Sequence, residues 1–357
     1  MCQPRVRANS SNMRIALIAP PFIAVPPKDY GGTELFVAQL AEGLKQNGID
    51  VVVYANGDST VNVERHWRYE HTHWPIKSET EAMIMEMDHT AWAVEHAARS
   101  CELIHVQSAP ALTYTHITGL PTVLTLHGPN EARLTQLYHR YPNVYYVCIS
   151  KAQCARESMP RTRVIHHGID LSQYQLQTRK QNYLSFIGRI APIKGTHLAI
   201  DVAKRTGIPL KMAGDVQPQF RPYFEAKIKP QIDGKLVQYI GPANLQIKNE
   251  LLGNSMAMLF PIQWSEPFGL VMVEAMACGT PVLALPGGSV PEVVRTGVSG
   301  YICRSVRELS NCALNLQFDP ASVRRYVEEN FSIQRMAAEY AELYREAISS
   351  RAAVNAA

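Results

Sequence analysis

The sequence predicts an α/β protein with two doubly wound parallel-sheet domains in tandem. The chain has 357 residues, more than one hydrophobic core usually serves. Short β-rich runs alternate with longer helical runs, as expected when helices cover both faces of a parallel sheet. This alternation begins again near the middle of the chain. We therefore expect Rossmann-like domains at residues 13–170 and 171–331, and a flexible tail at residues 1–12.

The elements of the first domain follow from β-rich runs and from apolar stripes at helical spacing. The predicted strands read MRIALIAPP, DVVVYAN, ELIHVQS, PTVLTLHG and VYYVCIS. The predicted helices cover residues 35–46, 79–99 and 130–139. Residues 65–75, RHWRYEHTHWP, are interpreted as a loop.

The second domain repeats the pattern. Its predicted strands read NYLSFIGRI, PLKMAGD, KLVQYIGP, MAMLFPI and PVLALP. Its predicted helices read GTHLAIDVAKRT, NLQIKNELLGN and EPFGLVMVEAMACG. A long amphipathic helix at residues 332–350 follows, and it should cover apolar surface.

Composition narrows the class of protein. The formal net charge is +4 and no Lys/Arg run occurs, which argues against nucleic acid as a partner. The seven cysteines are scattered without a C-x-x-C pair, so neither a disulfide framework nor a zinc site is indicated and a cytoplasmic location is expected. No apolar run approaches the roughly 18 to 20 residues of a membrane span, so any membrane contact is expected to be peripheral.

Two nucleotide-binding classes lack their motifs. A nicotinamide-dependent oxidoreductase needs G-x-G-x-x-G between a strand and a helix, and this motif does not occur in the chain. The G-x-x-x-x-G-K-[ST] loop of P-loop enzymes is also missing.

Each domain instead has a glycine turn that favours anions. Gly31 and Gly32 stand where a loop meets a helix N-terminus, so a phosphate could approach bare backbone N–H groups. An ordinary tight turn is the alternative. In the second domain, GRIAPIKGT offers Arg189 and Lys194 beside Gly188, a set that suits a diphosphate. A solvated loop is the alternative for this segment.

Two carboxylates flank the apolar segment SEPFGLVMVEAMACGTPVLA. Pro267 suits the first helical position, so we expect a helix that begins near Glu266. Glu274, eight residues later, would then return to the same face about 12 Å away. Such a pair could hold two hydroxyl-bearing parts of one extended ligand. A capping role for Glu266 and a solvated Glu274 are the alternatives.

The motif E-P-F-G-L-x-x-x-E-A-M-A-C-G-x-P-V, from Glu266 to Val282, resembles the signature of retaining glycosyltransferases of family 4. Further motifs of that family follow one another in order: YGGTE, TLHG, VIHHGID, GRIAPIKG, GGSVPEVV and TGVSGYIC. The resemblance covers nearly the whole chain from Met13. It implies the GT-B fold, in which two Rossmann-like domains face a central cleft and the helix at 332–350 returns to the first domain.

The resemblance also implies roles for the matching residues. Arg189 and Lys194 would bind the donor diphosphate, Glu274 the ribose and Glu266 the transferred sugar, with His127 near the reacting centre. The catalytic set is therefore expected to be His127, Glu266, Arg189 and Lys194. The remaining donor contacts are expected from Gly31, Gly32, Gly188, Tyr239, Ile240, Phe268, Gly269 and Leu270.

The acceptor side departs from the family pattern. Gln107 stands where many relatives have histidine, and the segment at residues 65–75 is unusual. We hypothesise that Trp67, His71 and Trp74 line the acceptor site together with Gln107. A metal-binding cluster and a plain surface loop are the alternatives for this segment.

The predicted function is transfer of a hexose from a nucleotide sugar, with UDP-hexose first and GDP-mannose second, to an acceptor hydroxyl. The absence of a D-x-D pair predicts that no metal or other cofactor is needed. The acceptor would be a sugar or small metabolite, with a lipid-linked acceptor left open, as is the oligomeric state. A catalytically silent sugar-nucleotide binder and a non-hydrolysing sugar-nucleotide epimerase are the alternatives.

Overall fold

The computed structural model describes residues 13–28 and 31–356, with side chains up to residue 351. It contains two parallel β-sheets, one formed by each half of the chain. The predicted α/β class with two doubly wound domains is therefore confirmed. The exact limits at residues 170 and 331 stay a prediction, and the tail at residues 1–12 lies outside the described residues.

The first sheet has seven strands in the order β3-β2-β1-β4-β5-β6-β7, and every neighbouring pair is parallel. The strands are β1 (Arg14–Ile18), β2 (Asp50–Ala55), β3 (Glu64–Trp67), β4 (Leu103–Val106), β5 (Thr122–Leu126), β6 (Tyr145–Cys148) and β7 (Thr162–Val164). Its helices are α1 (Gly32–Gln46), α2 (Glu79–Ala97), α3 (Thr115–Thr118), α4 (Ala132–Tyr138) and α5 (Lys151–Cys154).

The second sheet has six parallel strands in the order β10-β9-β8-β11-β12-β13. The strands are β8 (Leu184–Ile187), β9 (Leu210–Ala213), β10 (Val237–Tyr239), β11 (Ala257–Phe260), β12 (Val282–Ala284) and β13 (Gly300–Ile302). The helices are α6 (Thr196–Thr206), α7 (Arg221–Tyr223), α8 (Leu245–Asn254), α9 (Leu270–Ala277), α10 (Val290–Val293), α11 (Val306–Leu314), α12 (Pro320–Asn330) and α13 (Ile333–Ala356).

Successive residues of a strand in the first sheet pack into different hydrophobic clusters, one on each face of the sheet. In β1, Leu17 packs in a cluster with helix α1, whereas Ile18 packs in a second cluster with helix α2. This follows from the two-residue period of a strand, since alternate side chains point to opposite faces. Both faces of the first sheet are therefore covered, which explains why its central strands read as continuous apolar runs.

The last helix, α13, belongs to the core of the first sheet although it follows the second in sequence. Tyr340 and Tyr344 are buried there beside α1. The Tyr344 hydroxyl lies 2.7 Å from Nδ1 of buried His105, and the Tyr340 hydroxyl lies 2.8 Å from the Thr125 hydroxyl. Because buried polar groups are costly without partners, these bonds fix α13 in register on the sheet.

Several sequence predictions need correction. Residues Glu64–Trp67 form an edge strand, whereas residues 65–67 are part of the predicted loop; the mostly exposed side chains of this strand hide the apolar alternation. The short strands β7 and β13 were also missed, because most of their residues are only partly buried. Helix α9 begins at Leu270, not at Glu266. Of the helices in the described part of the chain, none is both long and apolar enough to cross a membrane.

Candidate active site

Both sheets reverse their strand order, between β1 and β4 in the first and between β8 and β11 in the second. Ligands of such sheets bind outside the carboxyl ends of the strands at these switch points. In this chain the loops after β1, β8 and β11 line one cleft of about 850 Å³ between the two halves. Twelve predicted site residues line it: Gly31, Gly32, Trp74, His127, Gly188, Arg189, Lys194, Glu266, Phe268, Gly269, Leu270 and Glu274.

Lys194 is placed in the cleft by a turn between β8 and α6. Gly195 follows it with φ +71°, the left-handed backbone that favours glycine. A Cβ at this position would lie 1.9 Å from the carbonyl oxygen of Pro261. The glycine therefore lets the turn approach the loop that follows β11.

Lys194 and Glu266 form an ion pair across the cleft wall. The Lys194 ammonium donates to Oε2 of Glu266 at 2.5 Å, and the Trp264 indole N–H donates to the same oxygen at 2.8 Å. The ammonium also lies 4.8 Å from the centre of the Trp264 ring. Both charged side chains are more than four-fifths buried, so each holds the other in place and they act as one unit.

The guanidinium of Arg189 uses some of its hydrogen-bond donors within the described part of the protein, but not all of them. Its Nη1 donates to Gln217 at 3.2 Å, and its guanidinium lies 5.9 Å from the centre of the Phe220 ring. Its buried Nε has no hydrogen-bond partner among the described residues. Since buried donors are normally paired, this orientation fits an anion that is bound between Arg189 and Lys194.

Glu266 lies in a loop, which corrects the predicted position at a helix start. Gly269 adopts φ +79° immediately before α9, so Pro267 stands outside the helix. The loop is held by the segment GGS: the Ser289 N–H donates to the Glu266 carbonyl at 2.9 Å. A Cβ on Gly288 would lie 2.1 Å from that carbonyl oxygen, which explains the glycine. The predicted separation of about 12 Å between Glu266 and Glu274 assumed that both lie on one helix, so that prediction is wrong.

Glu274 is a buried carboxylate in α9, 1% exposed. Its Oε1 accepts from the Tyr174 hydroxyl at 3.0 Å and from the Lys248 ammonium at 2.9 Å. Its Oε2 has no partner within the described part of the chain, although Glu274 lines the cleft. One oxygen is thus fixed while the other remains able to accept from a ligand hydroxyl.

His127 faces the cleft at the end of β5. Its Nε2 donates to Oε1 of Gln107 at 2.8 Å, and its ring stacks on His167 at 5.7 Å between centres. Burial lowers the pKa of His127 to about 3, and burial also lowers the pKa of His167. Both imidazoles are therefore uncharged at neutral pH, so His127 can form hydrogen bonds with hydroxyls but carries no positive charge.

Several predicted residues do not line the cleft. Tyr239 donates its hydroxyl to the Gly214 carbonyl at 2.7 Å, and Ile240 is exposed elsewhere. Gln107 accepts from His127, and Gln107, Trp67 and His71 lie outside the cleft lining. Of the aromatic segment at residues 65–75, Trp74 is the aromatic side chain that enters.

Sequence reasoning missed other lining residues. Asp58 and Thr72 come from the first half of the chain, and Asp215, Gln217 and Lys248 come from the second. Asp58 follows one predicted strand by two residues and Asp215 is the last residue of another, and these positions are the signal that could have found them. Lys248 gives no such signal, because it lies within a helix and its partner Glu274 is 26 residues away.

Family comparisons match both halves of the chain. Residues 30–173 match the model described as Glycosyltransferase Family 4, and residues 170–314 match Glycosyl transferases group 1. The chain belongs to glycosyltransferase family 4. The family signature that begins at Glu266 is thereby placed in the wall of the cleft of this glycosyltransferase.

Curated relatives of the glycosyltransferase are moderately similar. The D-inositol 3-phosphate glycosyltransferase of Mycobacterium marinum is 32% identical over 167 residues, which is 41% of this chain and 34% of the relative. The putative glycosyltransferase YtcC of Bacillus subtilis is 28% identical over 62% of this chain and 65% of its own length. The match thus spans about a third of the first relative and under two thirds of the second.

Solved structures share the GT-B fold of this glycosyltransferase. AviGT4, a glycosyltransferase involved in avilamycin A biosynthesis, aligns with a TM-score of 0.71 and 24% identity over 95% of this chain and 98% of that one. Anabaena HepE in complex with UDP and glucose aligns with a TM-score of 0.74 and 19% identity over 94% of this chain and 100% of that one. The predicted GT-B architecture is therefore confirmed.

Proposed function

We propose that this glycosyltransferase moves a hexose from a nucleoside diphosphate sugar to an acceptor hydroxyl and retains the anomeric configuration. The observation that supports the proposal most is the set of charged side chains along one wall of the cleft. Arg189 and Lys194 can bind a diphosphate, and the Glu274 carboxylate with its unpartnered Oε2 can accept from ribose hydroxyls.

The charges fit the demands of the reaction. As the bond from C1 of the sugar to the diphosphate oxygen breaks, negative charge grows on the leaving group. Arg189 and Lys194 would stabilise that charge as fixed cations, which is the basis for proposing metal independence. The acceptor oxygen would bond to C1 on the face that the diphosphate leaves, and its proton would pass to the departing phosphate.

Glu266 and His127 would bind the transferred sugar. Glu266 is held by Lys194 and Trp264, so its Oε1 can accept from sugar hydroxyls. Neutral His127 would contribute a further hydrogen bond near the reacting carbon. Closure of the cleft would exclude water, which otherwise hydrolyses the donor.

UDP-hexose is our first choice of donor and GDP-mannose the second. The structural neighbour HepE was crystallised with UDP-glucose, which supports the first choice. We propose a sugar or small metabolite as acceptor; the relative from Mycobacterium marinum is named for inositol 3-phosphate, which supports the small size of the acceptor but not a phosphate on it. A cytoplasmic location follows as part of the same proposal.

Release of UDP or GDP from a panel of nucleotide sugars, with and without acceptors, tests the proposal. We expect slow release without acceptor and faster release with a suitable one. Tight donor binding with no release from any donor would instead identify a catalytically silent sugar-nucleotide binder. Interconversion of the sugar on the nucleotide would identify an epimerase.

A further inference from the structure

The segment that carries Trp74 is attached to the loops that follow strands β1 and β2. Three backbone N–H groups make the attachment: Gly57 donates to the Tyr69 carbonyl at 2.9 Å, Thr72 to the Asp58 carboxylate at 2.8 Å, and His73 to the Phe22 carbonyl at 2.8 Å. The segment is therefore a wall built onto the ligand-binding edge of the first sheet.

Asp58 and Trp74 both line the cleft from this wall. Trp74 is 40% exposed and lines the cleft together with Asp58 and Thr72. The Asp58 carboxylate uses one oxygen for the Thr72 N–H and the other for the His71 ring at 3.3 Å. A carboxylate has about four acceptor positions, so Asp58 can still accept from ligand hydroxyls.

The first-domain side of the cleft carries little net charge. Of its described lining residues, only Lys28 and Asp58 are formally charged, one positive and one negative. His127 and His167 are kept neutral by burial, which lowers the pKa of each. A phosphorylated ligand is normally held by arginine forks or several cations, and Asp58 would repel it.

We propose that Asp58 and Trp74 form the acceptor subsite and that it takes an uncharged, polyhydroxylated sugar. The Trp74 ring would stack on the apolar face of the sugar, while Asp58 accepts hydrogen bonds from its hydroxyls. This inference rests on the proposed function, because it assigns the second substrate of the same cleft.

The test measures nucleotide release with pairs of acceptors that differ only by a phosphate. The probes are glucose with glucose 6-phosphate, and myo-inositol with inositol 3-phosphate, together with a panel of free hexoses and disaccharides. We expect at least one uncharged sugar to raise nucleotide release above the rate in water alone. Its phosphorylated counterpart should be at least tenfold less effective.

Substitutions locate the effect. Asp58→Asn and Trp74→Ala should each raise the KM of that sugar about tenfold, while the affinity for the nucleoside diphosphate changes less than twofold. Trp74→Phe keeps an aromatic ring and should recover most of the loss. Trp67→Ala is the matched control, because Trp67 is similarly exposed but lies outside the cleft lining.

Several results would overturn the inference. They are stimulation by phosphorylated acceptors alone, no stimulation by any uncharged sugar, and an unchanged acceptor KM in both Asp58→Asn and Trp74→Ala. Failure of the proposed function looks different, because no donor would then release its nucleotide under any condition.

Discussion

At the scale of single residues, the Lys194–Glu266 ion pair is the feature with the sharpest consequences. The ammonium is shared between the Glu266 carboxylate and the Trp264 ring. On our proposal it must also reach the donor diphosphate. Glu266 thus competes with the diphosphate for Lys194 before binding and helps to orient it afterwards.

Substitution of each partner should separate binding from turnover. Lys194→Met should weaken binding of the nucleoside diphosphate and lower kcat by about 10²- to 10³-fold, because a fixed cation at the leaving group is lost. Glu266→Gln should leave nucleotide affinity equal or higher, since Lys194 is released, and yet lower turnover about 10²-fold. Calorimetry and a nucleotide-release assay measure the two effects. Equal loss of nucleotide affinity in both variants would contradict this reading.

The sequence predicts the site to which Glu274 belongs but not the partners of its carboxylate. The signature placed it at a donor site, and the structure brings it into the same cleft as Arg189 and Lys194. The sequence could not reveal that Tyr174 and Lys248 hold one of its oxygens, because these partners are 100 and 26 residues away. Only the fold brings them together.

At the scale of elements, the strands and helices buried on both faces were the most predictable. Their apolar runs and stripes are continuous, so their positions could be inferred from period alone. The edge strand β3 could not, because its side chains are mostly exposed. The start of α9 was misplaced because Pro267 suits a helix start, whereas the left-handed Gly269 and the contact with Ser289 keep Glu266 in a loop.

Helix α1 contains a buried carboxyl group that makes stability depend on pH. Glu34 lies in the first turn, and burial raises its pKa from 4.5 to about 7. Between these values the folded state binds more protons than the unfolded state, so the free energy of unfolding falls as pH rises. The contribution is on the order of 3 kcal/mol.

Glu34→Gln should remove this dependence. Denaturant unfolding at pH 5 and pH 8 should show that the wild type loses more stability over this interval than the variant does. The variant should therefore be the more stable of the two at pH 8. Parallel pH dependences for the two proteins would contradict the assignment.

At the scale of the whole molecule, the contacts of α13 and of α10 are among those that join the halves of the chain. Helix α13 returns to the first sheet, where it is held through His105. On the other side, Glu292 of helix α10 accepts from the backbone N–H groups of Lys151 and Ala152, each at 2.7 Å, and from His166 at 2.8 Å. A carboxylate of the second domain thus caps a helix of the first.

The Glu292 contact should weaken in acid. Burial raises the pKa of Glu292, but the bonds from His166 and the two N–H groups outweigh it, so the net pKa lies below its ordinary 4.5. A lowered carboxyl pKa stabilises the folded state above the unfolded value, and this contribution is lost as pH falls through the folded value. Glu292→Gln should therefore unfold at a lower temperature at pH 7, with a loss of about 1 to 3 kcal/mol.

The difference in unfolding temperature between wild type and Glu292→Gln should shrink as the pH is lowered below 4.5, as scanning calorimetry would show. A difference that stays constant over this range would mean that ionisation of Glu292 does not stabilise the contact. Glu328→Gln is the control, because its carboxylate pairs with Arg324 on the same helix.

The proposed function depends most on binding of a nucleotide sugar in the cleft with its ribose on Glu274. The direct test is calorimetric binding of UDP or GDP, whichever binds the wild type, beside its 2′,3′-dideoxy analogue, to wild type and Glu274→Ala. Hydroxyl bonds to a carboxylate are worth about 1.5 to 3 kcal/mol, so the wild type should prefer the ribonucleotide by about 10- to 100-fold. Glu274→Ala should bind both nucleotides equally; a variant that still prefers the ribonucleotide as strongly as the wild type would contradict the account.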